Sequence, residues 1–204
     1  MPTHVPLFLV TTWLLAMLPG AGQALMIRQA LDGGPRRARL TIAGNASGLL
    51  LWSIAAAVGL SAVLLADPRA YEVVRIAGGM VLILLGINTL RTVRKAPGPS
   101  ADGAATGGWA PYLAGLGTAL GNPKAGVFAI SVLPQFVTTR GPVLLSSVLM
   151  GVVWVLVNTC WYLLLTWAVV RGRALVSRPA VRQRLSVVTG LVLLALGVAV
   201  ASGL

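Results

Sequence analysis

Apolar runs about as long as a lipid bilayer is thick follow one another along nearly the whole chain, and they limit the fold more than any other feature. A membrane-spanning helix needs roughly 20 predominantly apolar residues, because backbone polar groups inside the bilayer must be bonded within the protein. With 57% hydrophobic and only 10% charged residues, the composition excludes an ordinary soluble domain. The six apolar segments are about residues 5–27, 40–66, 73–90, 109–136, 143–170 and 185–204.

The basic residues are concentrated in every second loop between these segments. The first, third and fifth loops carry most of the 16 lysines and arginines, whereas the second and fourth hold one arginine each and neither terminus holds any. Because basic loops stay in the cytoplasm, the sequence predicts six transmembrane helices with both termini on the outer side. The net charge of +12 is interpreted as this topology signal, and nucleic-acid binding is not supported.

A glycine-, alanine- and proline-rich stretch divides the chain into two parts of three segments each. Residues 96–108 have no apolar periodicity and are predicted to form a flexible cytoplasmic linker. The predicted organisation is therefore a first three-helix repeat over residues 1–95 and a second over residues 109–204, packed together as one membrane domain.

The two parts also share a weak internal repeat. Because three is an odd number of spans, the second part must enter the membrane from the opposite side, which gives an inverted-topology repeat. The sequence thus predicts an all-α integral membrane protein built from two inverted three-helix repeats, an architecture found mostly in transporters. The matched positions are Gly79 and Gly190, Gly86 and Gly197, and Pro19 and Pro123.

Helix-breaking residues interrupt the first and the fourth apolar segments at corresponding places. The first break is the sequence from Leu18 to Gly22, and the second is Gly121-Asn122-Pro123-Lys124. Lys124 is the only charge in its apolar segment. A lysine at bilayer depth costs about 3 kcal/mol or more, so it is tolerated where it lines a protein cavity. We therefore expect a polar site at the broken first and fourth helices.

The second break is expected to start a new half-helix. Asn122 is a favourable N-cap and Pro123 a favourable first helical residue, so this half-helix should run to about residue 133. The half-helix amino ends of the two breaks, which carry partial positive charge, are expected to face one another and, with Lys124, to receive a carboxylate. The candidate substrate-binding residues are Pro19, Gly20, Gly22, Asn122, Pro123 and Lys124.

Further polar side chains lie inside the apolar segments. Each of them either lines a substrate path or forms a hydrogen bond to a neighbouring helix, and the second role is the commoner one for such residues. The candidate path residues are Gln23, Asn45, Ser131 and Asn158.

These motifs resemble the LysE/RhtB family of bacterial amino-acid exporters over nearly the whole chain. The Asn-Pro-Lys break and the Leu-Pro-Gln-Phe element at residues 133–136 match the family pattern. The first break differs, because Ala21 and Gly22 stand where the family usually has a second proline and an Asn or Asp. The resemblance implies export of amino acids or related compounds by using the proton gradient. The expected location is therefore the bacterial plasma membrane, as a multi-pass protein whose termini are periplasmic according to the loop charges.

Two other classes compete with a secondary transporter of small amphipathic carboxylates. An intramembrane enzyme would need a positioned acid or base, but the four acidic residues fall in loops or at segment ends. A non-transporting membrane interaction or lipid-handling protein is the other alternative. The same lack of carboxylates favours neutral substrates. Cys160 is the only cysteine, and no metal or cofactor is expected. The expected partners are the substrate and the bilayer, and a homodimer is left open.

Overall fold

The structure is a computed structural model and describes residues 5–66, 68–91, 108–137, 142–171 and 179–202. These ranges contain helices and turns and no β-strand. Most of the predicted linker, residues 96–107, lies outside them. The helices are α1 (Val5–Met17), α2 (Ala21–Ala66), α3 (Pro68–Arg91), α4 (Ala110–Leu120), α5 (Pro123–Val127), α6 (Val143–Arg171) and α7 (Pro179–Ser202), with a π-helical turn at Phe128–Val132 and a 3-10 turn at Leu133–Phe136 between α5 and α6.

Two of the described helical stretches are long and apolar enough, by length and composition, to cross a membrane. They are Ala21–Gly59 within α2 and Val143–Arg171, which is α6. The helix α1 is apolar too, but it has only 13 residues. A helix rises 1.5 Å per residue, so α1 alone does not reach across a bilayer of about 30 Å. The described length of α1 is about 20 Å.

The basic segment between the first two predicted spans is helical, so its prediction as a loop was wrong. The helix α2 continues from Ala21 to Ala66 with one non-helical residue, Gly34, at φ 69° and ψ −171°. Glycine adopts this positive φ at little cost, and Pro35 disfavours a helical conformation in the residue before it. The chain therefore kinks at Gly34, and the helix resumes at Pro35. The arginines on either side are displayed on helical turns.

Both predicted helix breaks are present. The first separates α1 from α2 at residues 18–20, and the second separates α4 from α5 at residues 121–122. The half-helix after the second break continues to Phe136, somewhat further than predicted, and it changes from α to π to 3-10 pitch on the way.

Glycines allow two helix pairs to pack backbone against backbone. On α2, Gly44 lies directly on the carbonyl of Tyr112 in α4. The contact of Gly48 with α4 comes one turn later in α2 and about one turn later in α4, so the two helices run parallel. On α3 and α7, a Cβ added to Gly79 would lie 2.8 Å from the carbonyl oxygen of Gly197. The second contact of this pair is Gly86 with Gly190, at 2.9 Å, so α3 and α7 are antiparallel.

The apolar core surrounds the turn after α5. The ring of Phe128 lies 4.8 Å from that of Trp154 on α6 and 6.3 Å from that of Phe8 on α1, measured between centroids. Phe136 completes the cluster, 5.0 Å from Phe8. Burying aromatic rings in edge-on and tilted contacts fixes the half-helix against α1 and α6.

Candidate substrate-binding site

A hydrogen bond from Lys124 joins the two helix breaks. Its ammonium Nζ donates to the carbonyl oxygen of Leu15, which lies 3.2 Å away and 109 residues earlier in the sequence. The same nitrogen would lie 4.0 Å from a Cβ added to Gly20. The side chain of the second break thus reaches the carbonyl end of α1 and the backbone of the first break.

The carbonyl end of α1 receives a second side chain. Gln23, at the start of α2, donates from Nε2 to the carbonyl oxygen of Ala16 over 2.9 Å, and both groups are buried. The last four carbonyls of a helix have no partner within it, and they form its partially negative end. A cation from one side and an amide from the other therefore stabilise α1 where the chain leaves the helix. Gln23, a candidate path residue, acts as a cap across the break.

The second break has the predicted capping geometry. Asn122 is extended, at φ −84° and ψ 107°, and its side-chain oxygen accepts a hydrogen bond from the backbone N–H of Lys124 over 3.1 Å. Its own carbonyl accepts from the N–H groups of Ala125 and Gly126 at 3.0 and 3.1 Å. Pro123 is the first helical residue. Asn122 therefore orients the turn from which the Lys124 side chain extends.

The carbonyl end of α4 is capped by a residue that sequence reasoning did not select. Trp52, on α2, donates from its indole nitrogen to the carbonyl of Ala119 over 3.2 Å. Its ring also lies against α5, 3.0 Å from the position of a Cβ added to Gly126. The sequence did contain one indication of such a role. Trp52 lies far from either end of its apolar segment, whereas tryptophans of the interfacial belt lie near the ends.

Tyr162 is the second residue that the sequence did not single out. A Cβ added to Gly22 would lie 2.5 Å from the hydroxyl oxygen of Tyr162 and 3.3 Å from the ring carbon that bears it. The buried tyrosine of α6 therefore occupies the space that a side chain at position 22 would take. Next to it, Trp161 contacts Trp13 of α1 edge to face, with centroids 6.1 Å apart.

The other three candidate path residues, Asn45, Ser131 and Asn158, are buried. Among the described residues, none of the three forms a hydrogen bond with Lys124. Asn158 donates to the carbonyl of Trp154, one turn back in its own helix, over 2.9 Å. Asn45 lies in the close packing of α2 on α4, where its backbone nitrogen is near Gly115. Ser131 lies in the π-helical turn. For Asn158 the observed bond is within its own helix, so it is neither a contact with a neighbouring helix nor evidence for a substrate path.

The residues of the two breaks differ in exposure. Gly20 and Pro123 are exposed, Pro19 and Lys124 are partly buried, and Gly22 lies in the core. Lys124 therefore lies between the buried core and the exposed residues of the breaks. Two open pockets, of about 450 and 440 Å³, have other linings and share Arg39. Within the described residues there is no group of three or more His, Cys, Asp or Glu side chains that could hold a metal ion.

Three comparisons relate this arrangement to known proteins. The sequence model of the family described as LysE type translocator matches residues 13–203. The chain is 22% identical over 193 residues to the membrane protein YrhP of Bacillus subtilis, covering 91% of this chain and 92% of that one. It is 28% identical over 151 residues to the homoserine/homoserine lactone efflux protein of Salmonella typhi, covering 74% and 73%.

A third relative is the cysteine/O-acetylserine efflux protein of Klebsiella pneumoniae, which is 28% identical over 166 residues, covering 79% of this chain and 82% of that protein. No solved structure matches the chain. The family match includes both helix breaks and extends over nearly the whole sequence. The chain therefore belongs to the LysE type translocator family, and it is a membrane transport protein rather than an enzyme.

Proposed function

We propose that the chain exports small neutral amino acids, or close relatives of them, and that Lys124 binds the substrate carboxylate. The observation that carries this proposal is the hydrogen bond from the Lys124 ammonium to the Leu15 carbonyl, which joins the two helix breaks. The carbonyl is a neutral partner for this cation, whereas a carboxylate would add the attraction between two opposite charges.

Substrate binding then has a direct structural consequence. The Lys124 ammonium has three N–H donors and one recorded bond, to Leu15, so a carboxylate binds either beside the Leu15 carbonyl or in its place. We propose the second case, in which binding releases the carbonyl end of α1 from Lys124. The breaks at Pro19-Gly20 and Asn122-Pro123 are where the half-helices can change their relative positions. Transfer of Lys124 from Leu15 to the substrate would thus couple substrate binding to a movement of α1 against α5, as alternating access requires.

The preference for neutral substrates follows from the charges around the site. A cationic side chain would need a nearby carboxylate to offset its desolvation. Of the four acidic residues, Asp32 pairs with Arg28 at 3.4 Å, and Glu72 lies on α3. Asp67 and Asp102 lie outside the described residues. The relatives named for homoserine and for cysteine/O-acetylserine efflux support a substrate with an uncharged side chain.

The proposal includes the six-helix inverted repeat with broken first and fourth helices, the inner membrane and periplasmic termini. The glycine contacts between α3 and α7 support the repeat. Gly79 contacts Gly197 and Gly86 contacts Gly190, and a two-fold axis that exchanges the repeats would convert one of these contacts into the other. The proton gradient is the proposed energy source, because the sequence has no Gly-x-x-x-x-Gly-Lys-Ser/Thr motif for ATP.

Radiolabelled counterflow in proteoliposomes tests the function. We expect exchange of leucine, threonine or homoserine to exceed that of lysine or arginine. Lys124→Met should lower exchange by roughly tenfold or more, because a hydrogen bond to a charged group contributes about 1.5–3 kcal/mol. Arg91→Met, at the exposed end of α3, is the matched control and should leave exchange unchanged.

Three outcomes would contradict the proposal. Preferential exchange of lysine and arginine would overturn the substrate class. Undiminished exchange in Lys124→Met, in protein that reconstitutes as well as the wild type, would remove Lys124 from the binding site. The absence of exchange of any amino acid by wild-type protein would favour the non-transporting alternative.

A further inference from the structure

Two recesses with basic edges lie where α2 resumes after its kink. The first, of about 440 Å³, lies between α2 and α6 and includes Arg39 and Arg171 in its lining. The second, of about 450 Å³, lies between α2 and the start of α4 and includes Arg36, Arg39 and Trp109. Arg39 belongs to both linings. We refer to the first as the basic recess.

The basic recess combines a cationic edge with apolar walls. Leu163 and Val170 of α6 line it, and they are 43% and 41% exposed. At its edge the guanidinium of Arg171 lies 5.1 Å from the ring centroid of Trp167, within the range of a cation–π interaction. This contact holds one cation beside the apolar wall, and Arg39 approaches from the other helix.

Among the described residues, none that lines the recess is acidic. The acidic residue of this part of α2, Asp32, is paired with Arg28 and does not line it. Two arginines from different helices therefore present their charge to whatever occupies the recess. The chemistry that fits is an anion attached to an extended apolar group.

Exposed tryptophans place this end of the bundle at the membrane surface. Trp109 is 73% exposed and Trp167 is 56% exposed. Indole side chains of this kind are enriched at the level of the lipid headgroups. A soluble anion would gain nothing from Leu163 and Val170, whereas a phospholipid contacts both the arginines and the apolar wall.

We propose that the basic recess binds one anionic phospholipid, with the phosphate between Arg39 and Arg171 and an acyl chain along Leu163 and Val170. Basic pockets between transmembrane helices bind acidic headgroups in this way. The orientation proposed above makes this a lipid of the cytoplasmic leaflet. The site is separate from Lys124, and the inference does not depend on the transported substrate.

Native mass spectrometry of the purified protein, with phosphatidylglycerol and phosphatidylcholine added in equal amounts, tests the proposal. Wild-type protein should retain phosphatidylglycerol in preference to phosphatidylcholine. Arg39→Gln should weaken retention of phosphatidylglycerol by roughly fivefold, and Arg39→Gln with Arg171→Gln by about thirtyfold, from the attraction of each arginine to an acidic headgroup. Arg91→Gln is the matched control, because Arg91 is exposed and lines neither recess.

Three results would overturn the proposal. One is equal retention of the two lipids by the wild type, a measurement that needs no variant. Another is unchanged retention of phosphatidylglycerol in the double variant. The third is complete displacement of the lipid by millimolar inorganic phosphate, which would identify a simple anion site. Thermal unfolding in phosphatidylcholine verifies that the variants are folded, and Arg39→Lys should keep part of the preference.

Discussion

Trp52 donates its indole N–H to the carbonyl of Ala119 at the end of α4, across 67 residues of sequence. Lys124 does the same for the carbonyl of Leu15 at the end of α1. Both breaks therefore leave a helix whose last carbonyls are bonded by a side chain from a distant element. Each of these carbonyls also accepts a backbone N–H, from Leu18 at 3.2 Å and from Asn122 at 3.3 Å. The side chain therefore adds a second hydrogen bond, and it gives each break a partner that a conformational change can release.

Removing the indole donor should destabilise the second break modestly. Trp52→Phe keeps a ring against Gly126 but loses the hydrogen bond to Ala119. Asn122 also donates to this carbonyl, at 3.3 Å, so the carbonyl keeps a partner. We expect a loss of about 0.6 kcal/mol, typical of such bonds in membranes, in addition to the cost of the smaller ring. Thermal unfolding and counterflow check this, with Trp109→Phe, exposed at the start of α4, as the control. Stability and exchange equal to the wild type would show that the bond contributes nothing.

The contact between Gly22 and Tyr162 predicts a rescue. Gly22→Ala places a Cβ 2.5 Å from the tyrosine hydroxyl, which should cost about 1–3 kcal/mol as overpacking and reduce exchange. Tyr162→Phe in the same protein removes that hydroxyl and leaves the ring carbon at 3.3 Å, so most of the loss should be recovered. A double-mutant cycle of unfolding free energies measures the coupling. Additive effects would show that the two residues do not share this space.

Replacing either of two glycines of α2 with alanine should change the free energy of unfolding in opposite directions. Gly44 lies on the carbonyl of Tyr112, whereas a Cβ on Gly59 would have no atom within 4 Å. Alanine favours a helix over glycine by about 1 kcal/mol. Gly59→Ala should therefore be neutral or slightly stabilising, and Gly44→Ala should lower the unfolding free energy by about 1–3 kcal/mol. Equal effects in a thermal unfolding assay would mean that α2 and α4 are not packed this closely.

The orientation is tested by labelling single cysteines in intact cells. The one native cysteine, Cys160, is exposed and must first be replaced in the variant Cys160→Ala. An impermeant thiol reagent should modify a cysteine introduced at position 3 but not one at position 100, since the proposed termini are periplasmic and the proposed linker is cytoplasmic. Both positions lie outside the described residues. The reverse labelling pattern would invert the proposed topology.

The breaks were predictable because their signals are local. Proline, glycine and asparagine restrict the backbone at their own positions, so Asn122 and Pro123 identified the cap and the helix start without knowledge of any partner. The contacts of Trp52 and Tyr162 depend on residues more than 60 positions away. No periodicity in a single sequence indicates them, and these two residues were therefore missed.

The error in the first basic loop has a different origin. The arginines clustered between two apolar segments indicated a loop, but arginine is a good helix former. A single residue at positive φ was enough to kink the chain. Gly34 takes the whole change of direction, and the turns on both sides of it stay helical. The cluster of arginines indicates a segment at the edge of the membrane, but it does not determine whether that segment is a loop or a helix.

The π-helical turn at Phe128–Val132 changes which side chains of the half-helix that begins at Pro123 share one face. A π turn closes its hydrogen bonds one residue later than an α turn does, so it takes up one additional residue, which corresponds to a rotation of roughly 100° in an α-helix. Phe136 reaches Phe8 with that offset included. The helical periodicity before the turn is therefore out of phase with the periodicity after it. The positions that face α1 follow a different spacing on each side of the turn.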